Sequence, residues 1–292
     1  MKEGDFKRRL ATAILLTSLF MIVEVAGGVI SGSLSLLGDA GHMLRDVLAL
    51  VVSLSALNIA ERLPTKTKTF GFHRVEIFAS FVNGLVLMGV GLWILWEAYH
   101  RFRNPAPVQS ITMLWVAVLG LVVNGYIAVR LHGSQDLNIK SAFVHVVTDA
   151  VVSVGVIIAA LLITWTGNSV FDPGVSTAIS LVVIASAAFL IRDSVRVLLE
   201  FAPDDVDFDR MMEDMLQVEG VTGVHSVHLW SLCSNMKVID AHVVTRATDL
   251  IAVEGIKANL KQRLERYGIK HATLEFECES GALHETVERI EH

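Results

Sequence analysis

Apolar residues dominate six stretches of the chain, at roughly 10–31, 35–60, 77–99, 111–131, 140–165 and 173–191. Each reaches the ~17–25 residues that a helix needs to cross a bilayer. The breaks between them carry turn residues: Gly32 and Ser33, Pro64, Pro105 and Pro107, Gly133, and Gly167. After Pro203 the pattern changes. Asp204, Asp205, Asp207 and Asp209 open a polar segment, within which Phe208, Met211, Met212, Met215 and Leu216 recur at helical spacing. Positions 224–232 and 236–244 read as strands joined by a turn at Ser234-Asn235. Ile251, Ile256, Leu260 and Leu264 mark a helix over 251–267, and 271–278 reads as a third strand. The pattern predicts a membrane all-α six-helix bundle over residues 1–202. A C-terminal cytosolic α+β domain of order αββαβ follows over 203–292.

Composition supports this division. The 292 residues are 53% hydrophobic and only 18% charged, with a mean hydropathy of +0.55. Residues 1–202 hold 15 basic and 13 acidic groups, and residues 203–292 hold 9 basic and 17 acidic, together giving the net charge of −6. A net acidic soluble domain argues against nucleic acid as a partner and suits cations. Cys233 and Cys278 are too few for a disulfide framework and lack zinc-ribbon spacing, so reduced thiols in a cytosolic domain are expected. Lys2, Lys7, Arg8 and Arg9 precede an apolar run long enough to span, which reads as a retained first span and not a signal peptide.

Basic residues near the span ends set the orientation. With the N-terminus inside, the inner segments hold Lys2, Lys7, Arg8, Arg9, Arg62, Lys66, Lys68, Arg74, Arg130, Lys140, Arg192 and Arg196, and the outer loops only Arg101 and Arg103. Both termini are therefore expected in the cytosol. The short loops and the absence of organelle-sorting features favour a bacterial or archaeal inner (plasma) membrane.

An ionisable group in hydrocarbon costs at least about 2.5–3.5 kcal/mol, so such groups must face the bundle interior and find partners. The second span holds His42 and Asp46, the fifth His145 and Asp149, each pair spaced His-x-x-x-Asp. Residues i and i+4 share a helix face. Two such faces pressed together offer two nitrogens and two oxygens, a set suited to a tetrahedral metal such as zinc. Either pair alone reads equally well as a neutral hydrogen-bonded link between helices, and the four together also fit a proton relay. Spans centred near residues 47 and 152 put Asp46 and Asp149 near the midplane. Because the helices are antiparallel, His42 and His145 then lie on opposite sides of it. Convergence of all four requires an offset of about one turn, ~5 Å. Glu24 in the first span can complete a cavity, carry a proton, or bond a nearby hydroxyl or Asn. Asp39 can guide cations at the outer mouth or cap its helix. Arg45 can pair with Glu24 or Asp149, or snorkel.

In the soluble part, His225, His228, His242, His271, Glu275, Glu277 and Cys278 sit on or beside the predicted strands. Strand parity places His225 and His228 on opposite faces, and likewise Glu277 and Cys278. A consistent surface set is His228, His242, His271 and Glu277, with His225 joining from a neighbouring site or bridging a dimer. A regulatory metal site is one reading of this set; ordinary surface polar residues are the other.

Six spans, the two His-x-x-x-Asp pairs, the run Phe70-Gly71-Phe72-His73-Arg74-Val75-Glu76 and the stretch Val224-His225-Ser226-Val227-His228-Leu229-Trp230 together resemble the cation diffusion facilitator family. The resemblance covers about residues 10–279. It implies a homodimer that exports zinc or other divalent cations from the cytosol in exchange for protons. It also implies alternating access around His42, Asp46, His145 and Asp149. His228, His242, His271 and Glu277 match positions used as zinc ligands in relatives' cytosolic domains. Zinc is then both cargo and a regulatory ligand. Two features depart from the family pattern. Arg45 stands where relatives carry a small or polar residue, and only His132 represents the His-rich tract of many animal members. His73 is the nearest candidate for the loop-bound metal of some bacterial members, though an interfacial His beside Arg74 and Glu76 also reads as structural. Alternatives are export of cadmium, cobalt, nickel, iron or manganese, and a membrane metal sensor without flux. The His-Glu-x-x-His motif of a membrane metalloprotease is absent, and no enzymatic activity is expected.

Overall fold

Long apolar runs in hydrocarbon must satisfy their backbone polar groups internally, which leaves a helix as the solution for each span. A computed structural model of the chain shows that outcome. It describes residues 3–44, 47–48, 65–131, 137–234 and 236–278, of which 3–14, 16, 130–131 and 137–146 are described as backbone only. The chain divides into two units, Met1–Ser55 with Ser80–Ile191 and Ala56–Ala79 with Arg192–His292.

The first unit is helical. It draws on α1 (Glu3–Ser31), α2 (34–44), α3 (His73–Arg103), α4 (Ser110–Leu131), α5 (Leu137–Thr166) and α6 (Phe171–Leu198). Among the described residues, α3, α4, α5 and α6 are long and apolar enough to cross a membrane, and α1 adds a shorter apolar run, Thr17–Ser31. The rest of the expected second span, 45–46 and 49–60, lies outside the described residues. Pro173 falls in the first turn of α6, where its missing N–H breaks no intrahelical bond. Trp93, Trp96, Val122, Val129, Ile158 and Phe189 point outward, as a lipid-facing surface requires. Leu36, Met113, Ala117, Val156, Ala159, Ile179 and Val183 fill the interior between α2, α4, α5 and α6.

Glycines set how closely the helices approach. A Cβ on Gly120 of α4 would stand 2.7 Å from Cζ of Phe20 on α1, and one on Gly91 of α3 would stand 2.7 Å from Cγ1 of Ile184 on α6. Small residues at such crossings let backbones come together in lipid. Gly120→Ala is expected to destabilise the bundle by about 1–3 kcal/mol through overpacking against the Phe20 ring. Thermal unfolding in detergent checks this, and an unchanged melting temperature would show that α1 and α4 separate freely.

The structure accounts for one of the two basic residues that ran against the charge rule. Arg101, in the last turn of α3, donates from Nε to Glu97 at 2.9 Å and from its guanidinium to the Gly32 carbonyl, and lies 3.8 Å from the Asp172 carboxyl. It is therefore held in a structural cluster, and loop charge statistics do not capture such a role. Gly32, at φ +70°, makes the short α1–α2 turn, and the Gln109 N–H bonds the Ser31 carbonyl at 2.8 Å.

The second unit follows the predicted order α7 (Phe208–Leu216), β1 (Val221–Cys233), β2 (Met236–Thr245), α8 (Leu250–Glu265), β3 (Ile269–Cys278). Asp207 and Asp249 cap the two helices by accepting from the N–H groups of Arg210 and Ala252. The sheet runs β1-β2-β3, with β1 antiparallel and β3 parallel to β2. A parallel neighbour needs a crossover, which α8 supplies. One sheet face and the two helices enclose a core that includes Met211, Met215, Val227, Ile239, Val243, Leu260 and Leu264. The segment ahead of α3 belongs to this unit as well. Phe70 lies edge-on to His271 with ring centroids 5.7 Å apart, Ser234 donates to Glu76 at 2.8 Å, and Arg74 pairs with Glu200.

Candidate metal centres

The membrane helices bury an unusual group of ionisable side chains. Glu24 on α1 is 1% exposed, Asp39 and His42 on α2 are 4% and 6% exposed, and Asp149 on α5 is half-buried. Glu24 is hydrogen-bonded to Asp39 and lies within electrostatic range of Asp149. Three helices therefore turn carboxyl groups toward one interior.

Position in the helix decides one alternative for Asp39. Asp39 is well inside α2 and does not cap it, and Glu24 faces the Asp39 carboxyl group. His145 lies on α5 one turn before Asp149, and its side chain is outside the described residues, as are Arg45 and Asp46. The meeting of all four His-x-x-x-Asp residues, and the offset it requires, fall outside with them.

On the second unit, β1 and β2 bring His225 directly opposite His242. A register shift follows, with Ser226 at φ +49°, and pairing resumes with His228 opposite Asp240. This bulge inserts one residue into β1 and resets its alternation. Val224 and Val227 both face the core, while His225 and His228 share the opposite face. The strand-parity expectation for this pair is thereby corrected.

Three side chains converge on that face. The Glu277 carboxyl contacts His225 Nε2 at 3.0 Å and His242 Nδ1 at 2.8 Å, and Glu275 lies 3.7 Å from His242 Nε2. The hydrogen bond from His242 holds the Glu277 carboxyl below its ordinary value, aided by His225 and opposed by partial desolvation. One donor atom from each of His225, His242 and Glu277 lies within 4.8 Å of the others. Two imidazoles and a carboxylate are a zinc-type donor set, and small side-chain rotations would close this spacing onto an ion. His228 lies further along the same face. His271 sits opposite Val238 toward the other end of β3, exposed and against Phe70, so neither joins the three.

His73, the first residue of α3, places Nδ1 3.8 Å from the Cys233 sulfur. This is a two-group contact, and His225, His242 and Glu277 form the only metal-competent cluster of three or more such groups among the described residues. Cys233 and Cys278 are both free thiols. The bulge that assembles the cluster had no signal in the sequence pattern beyond the small Ser226 between two histidines.

Comparison with known proteins covers nearly the whole chain. Residues 10–199 match the cation efflux transmembrane domain, and residues 203–278 match the cation efflux protein cytoplasmic domain. The chain is 41% identical to the cation efflux system protein CzcD of Alcaligenes sp. strain CT14, over 94% of this chain and 87% of that one. It is 41% identical to the zinc transporter ZitB of Escherichia coli K12, over 95% and 89%. It is 36% identical to a cadmium, cobalt and zinc/H(+)-K(+) antiporter of Bacillus subtilis strain 168, over 95% and 91%.

Proposed function

The chain belongs to the cation efflux family, the cation diffusion facilitators, and we propose that it is a proton-coupled antiporter exporting zinc from the cytosol. Transport proceeds by alternating access at an intramembrane site of His42, Asp46, His145 and Asp149. The observation that carries this reading is the polar interior shared by α1, α2 and α5, where buried His42 and Asp39, Glu24 and Asp149 sit within helices otherwise built for lipid. The relatives' names, a zinc transporter and a zinc-carrying proton antiporter, point the same way.

The chemistry supplies the coupling. A metal needs neutral imidazole and ionised carboxylate, so zinc and protons compete for the same atoms. A pH difference across the membrane therefore biases loading on one side and release on the other. Two nitrogens and two oxygens suit zinc better than a very soft or very hard ion. Cadmium and cobalt are the first competitors, because the Bacillus subtilis relative is named for them.

The remaining assignments belong to the same proposal. Residues 1–202 form the transport domain, with both termini in the cytosol and the helices in the inner (plasma) membrane. Residues 203–292 form a cytosolic metal-binding and dimerisation domain. His225, His242 and Glu277 hold a regulatory zinc there, with His228 on the same face beyond them. Zinc bound to these groups would neutralise the Glu277 charge and tie β1, β2 and β3 together. Metal flux into reconstituted liposomes tests the function. Zinc uptake is expected to be fast with a pH gradient and slow without one, and to exceed uptake of cadmium and cobalt. Equal rates with and without the gradient would remove proton coupling. Metal binding without flux would leave the sensor reading standing.

A further inference from the structure

The outer end of α2 is capped from another helix. Ser33 begins the cap in the usual way, its hydroxyl accepting from the Leu36 N–H at 3.3 Å. The other free amides of the first turn are met by Asp172 of α6, whose carboxyl accepts from Leu34 N–H at 2.7 Å and Ser35 N–H at 3.1 Å. The same carboxyl accepts from the hydroxyls of Ser33 at 2.7 Å and Ser35 at 2.6 Å. Asp172, Ser33 and Ser35 are all fully buried. Arg101 of α3 adds a third helix, since its guanidinium bonds the Gly32 carbonyl and lies 3.8 Å from Asp172.

This cluster does not touch the transport site. Leu34 and His42 are eight positions apart, about 12 Å along the helix at ~1.5 Å per residue. Whatever Asp172 does for transport, it does through α2. Local caps hold only their own helix, whereas this one ties the start of the His42-bearing helix to the start of α6, with the end of α3 alongside. If α2 tilts while access alternates, the pinned end is the point about which it turns, and His42, toward the other end, makes the larger excursion.

We propose that Asp172 is a positioning residue for transport: it pins the outer end of α2 to α6, so that His42 moves about a fixed point. The proposal rests on the transport reading given above. The test uses full-length protein in liposomes, zinc as the cation and a pH gradient, with Asp172→Asn as the main variant and Ser33→Ala/Ser35→Ala as the second. The asparagine keeps the size of the side chain and one acceptor oxygen, but it turns a donor toward the α2 amides. Its maximal uptake rate is expected to fall at least roughly tenfold, with KM for zinc within about threefold of wild type. Hydrogen exchange of amides 34–37 is expected to quicken in both variants, and the double serine variant to lose rate in the same direction but less. Faster exchange with an unchanged uptake rate in Asp172→Asn would overturn the positioning role. So would a rise in KM that matches the loss of rate, since Asp172 would then act on ion binding. A wild-type protein that moves no zinc would instead strike the transport reading itself, a result distinct from either.

Discussion

Zinc uptake driven by a pH gradient is expected to fall at least ~100-fold when Asp149 is replaced by alanine, and by a similar factor for His42→Ala. Changes to groups that merely orient a metal ligand already cost about 10–100-fold, and loss of a ligand should exceed that. The physical reason is the cost of the remaining site. In the proposed four-ligand site, three ligands in a water-poor interior would leave the cation short of one bond and, for Asp149, short of one neutralising charge. Buried charge without a partner is expensive there. Liposome flux with folded protein recovered at wild-type yield is the measurement. Wild-type rates in both variants would remove these residues from the transport site.

The second large effect concerns the cytosolic cluster. Zinc at about 100 times its dissociation constant is expected to stabilise the folded protein by ~2.7 kcal/mol, because it binds the folded state. Measuring this on an Asp149→Ala background isolates the cluster from the membrane site. His242→Ala together with Glu277→Ala should abolish the zinc-dependent rise in melting temperature, and a rise that survives the double change would place the metal elsewhere. The metal-free protein gives a companion result. Hydrogen bonding to His242 lowers the folded value of Glu277 from its ordinary 4.5. Its stabilising contribution is therefore fully present above that value and is lost as pH falls through the lower folded one. The melting-temperature advantage of wild type over Glu277→Gln should be constant at neutral pH and shrink in acid below about pH 4.5. An advantage that grows in acid would contradict the hydrogen-bond account.

Much of this was legible in the chain itself. The length of each apolar run, the turn residues between them, and the change of period after Pro203 are local signals, and the order of the elements follows from them. The boundaries moved by up to seven residues in the spans, as at the start of α1 and the end of α6, and by up to three in the soluble part. β1, for example, starts at Val221 and not at 224, because Val221 and Gly223 extend the ladder with Thr245 and Val244. The candidate metal groups were also visible as residue types at particular spacings. Their grouping was not. His225 was set apart from the main soluble set on parity grounds, yet it is one of the three residues that meet, and His271, counted in that set, packs on Phe70 instead. A single extra residue at Ser226 accounts for the parity error, and a bulge depends on which strand pairs with which.

The role of Arg101 has the same origin. As a loop charge it contradicted the orientation rule, and only the approach of α1, α3 and α6 shows it bonded to a helix end and close to a buried carboxyl. Asp172 is the clearest case of all. An aspartate before a proline at a helix start reads as an ordinary first-turn acid, and nothing near it in the chain announces that its partners lie more than a hundred residues earlier. The sequence alone determined that the chain crosses a membrane repeatedly, that it ends in an acidic α+β domain, and that histidine and aspartate recur at one-turn spacing inside the spans. These are matters of periodicity and solvation, which act within a few residues. The tertiary structure alone decided which carboxyl meets which, which histidines share a face, and which helix caps another, because those contacts join parts of the chain whose spacing carries no trace of their meeting.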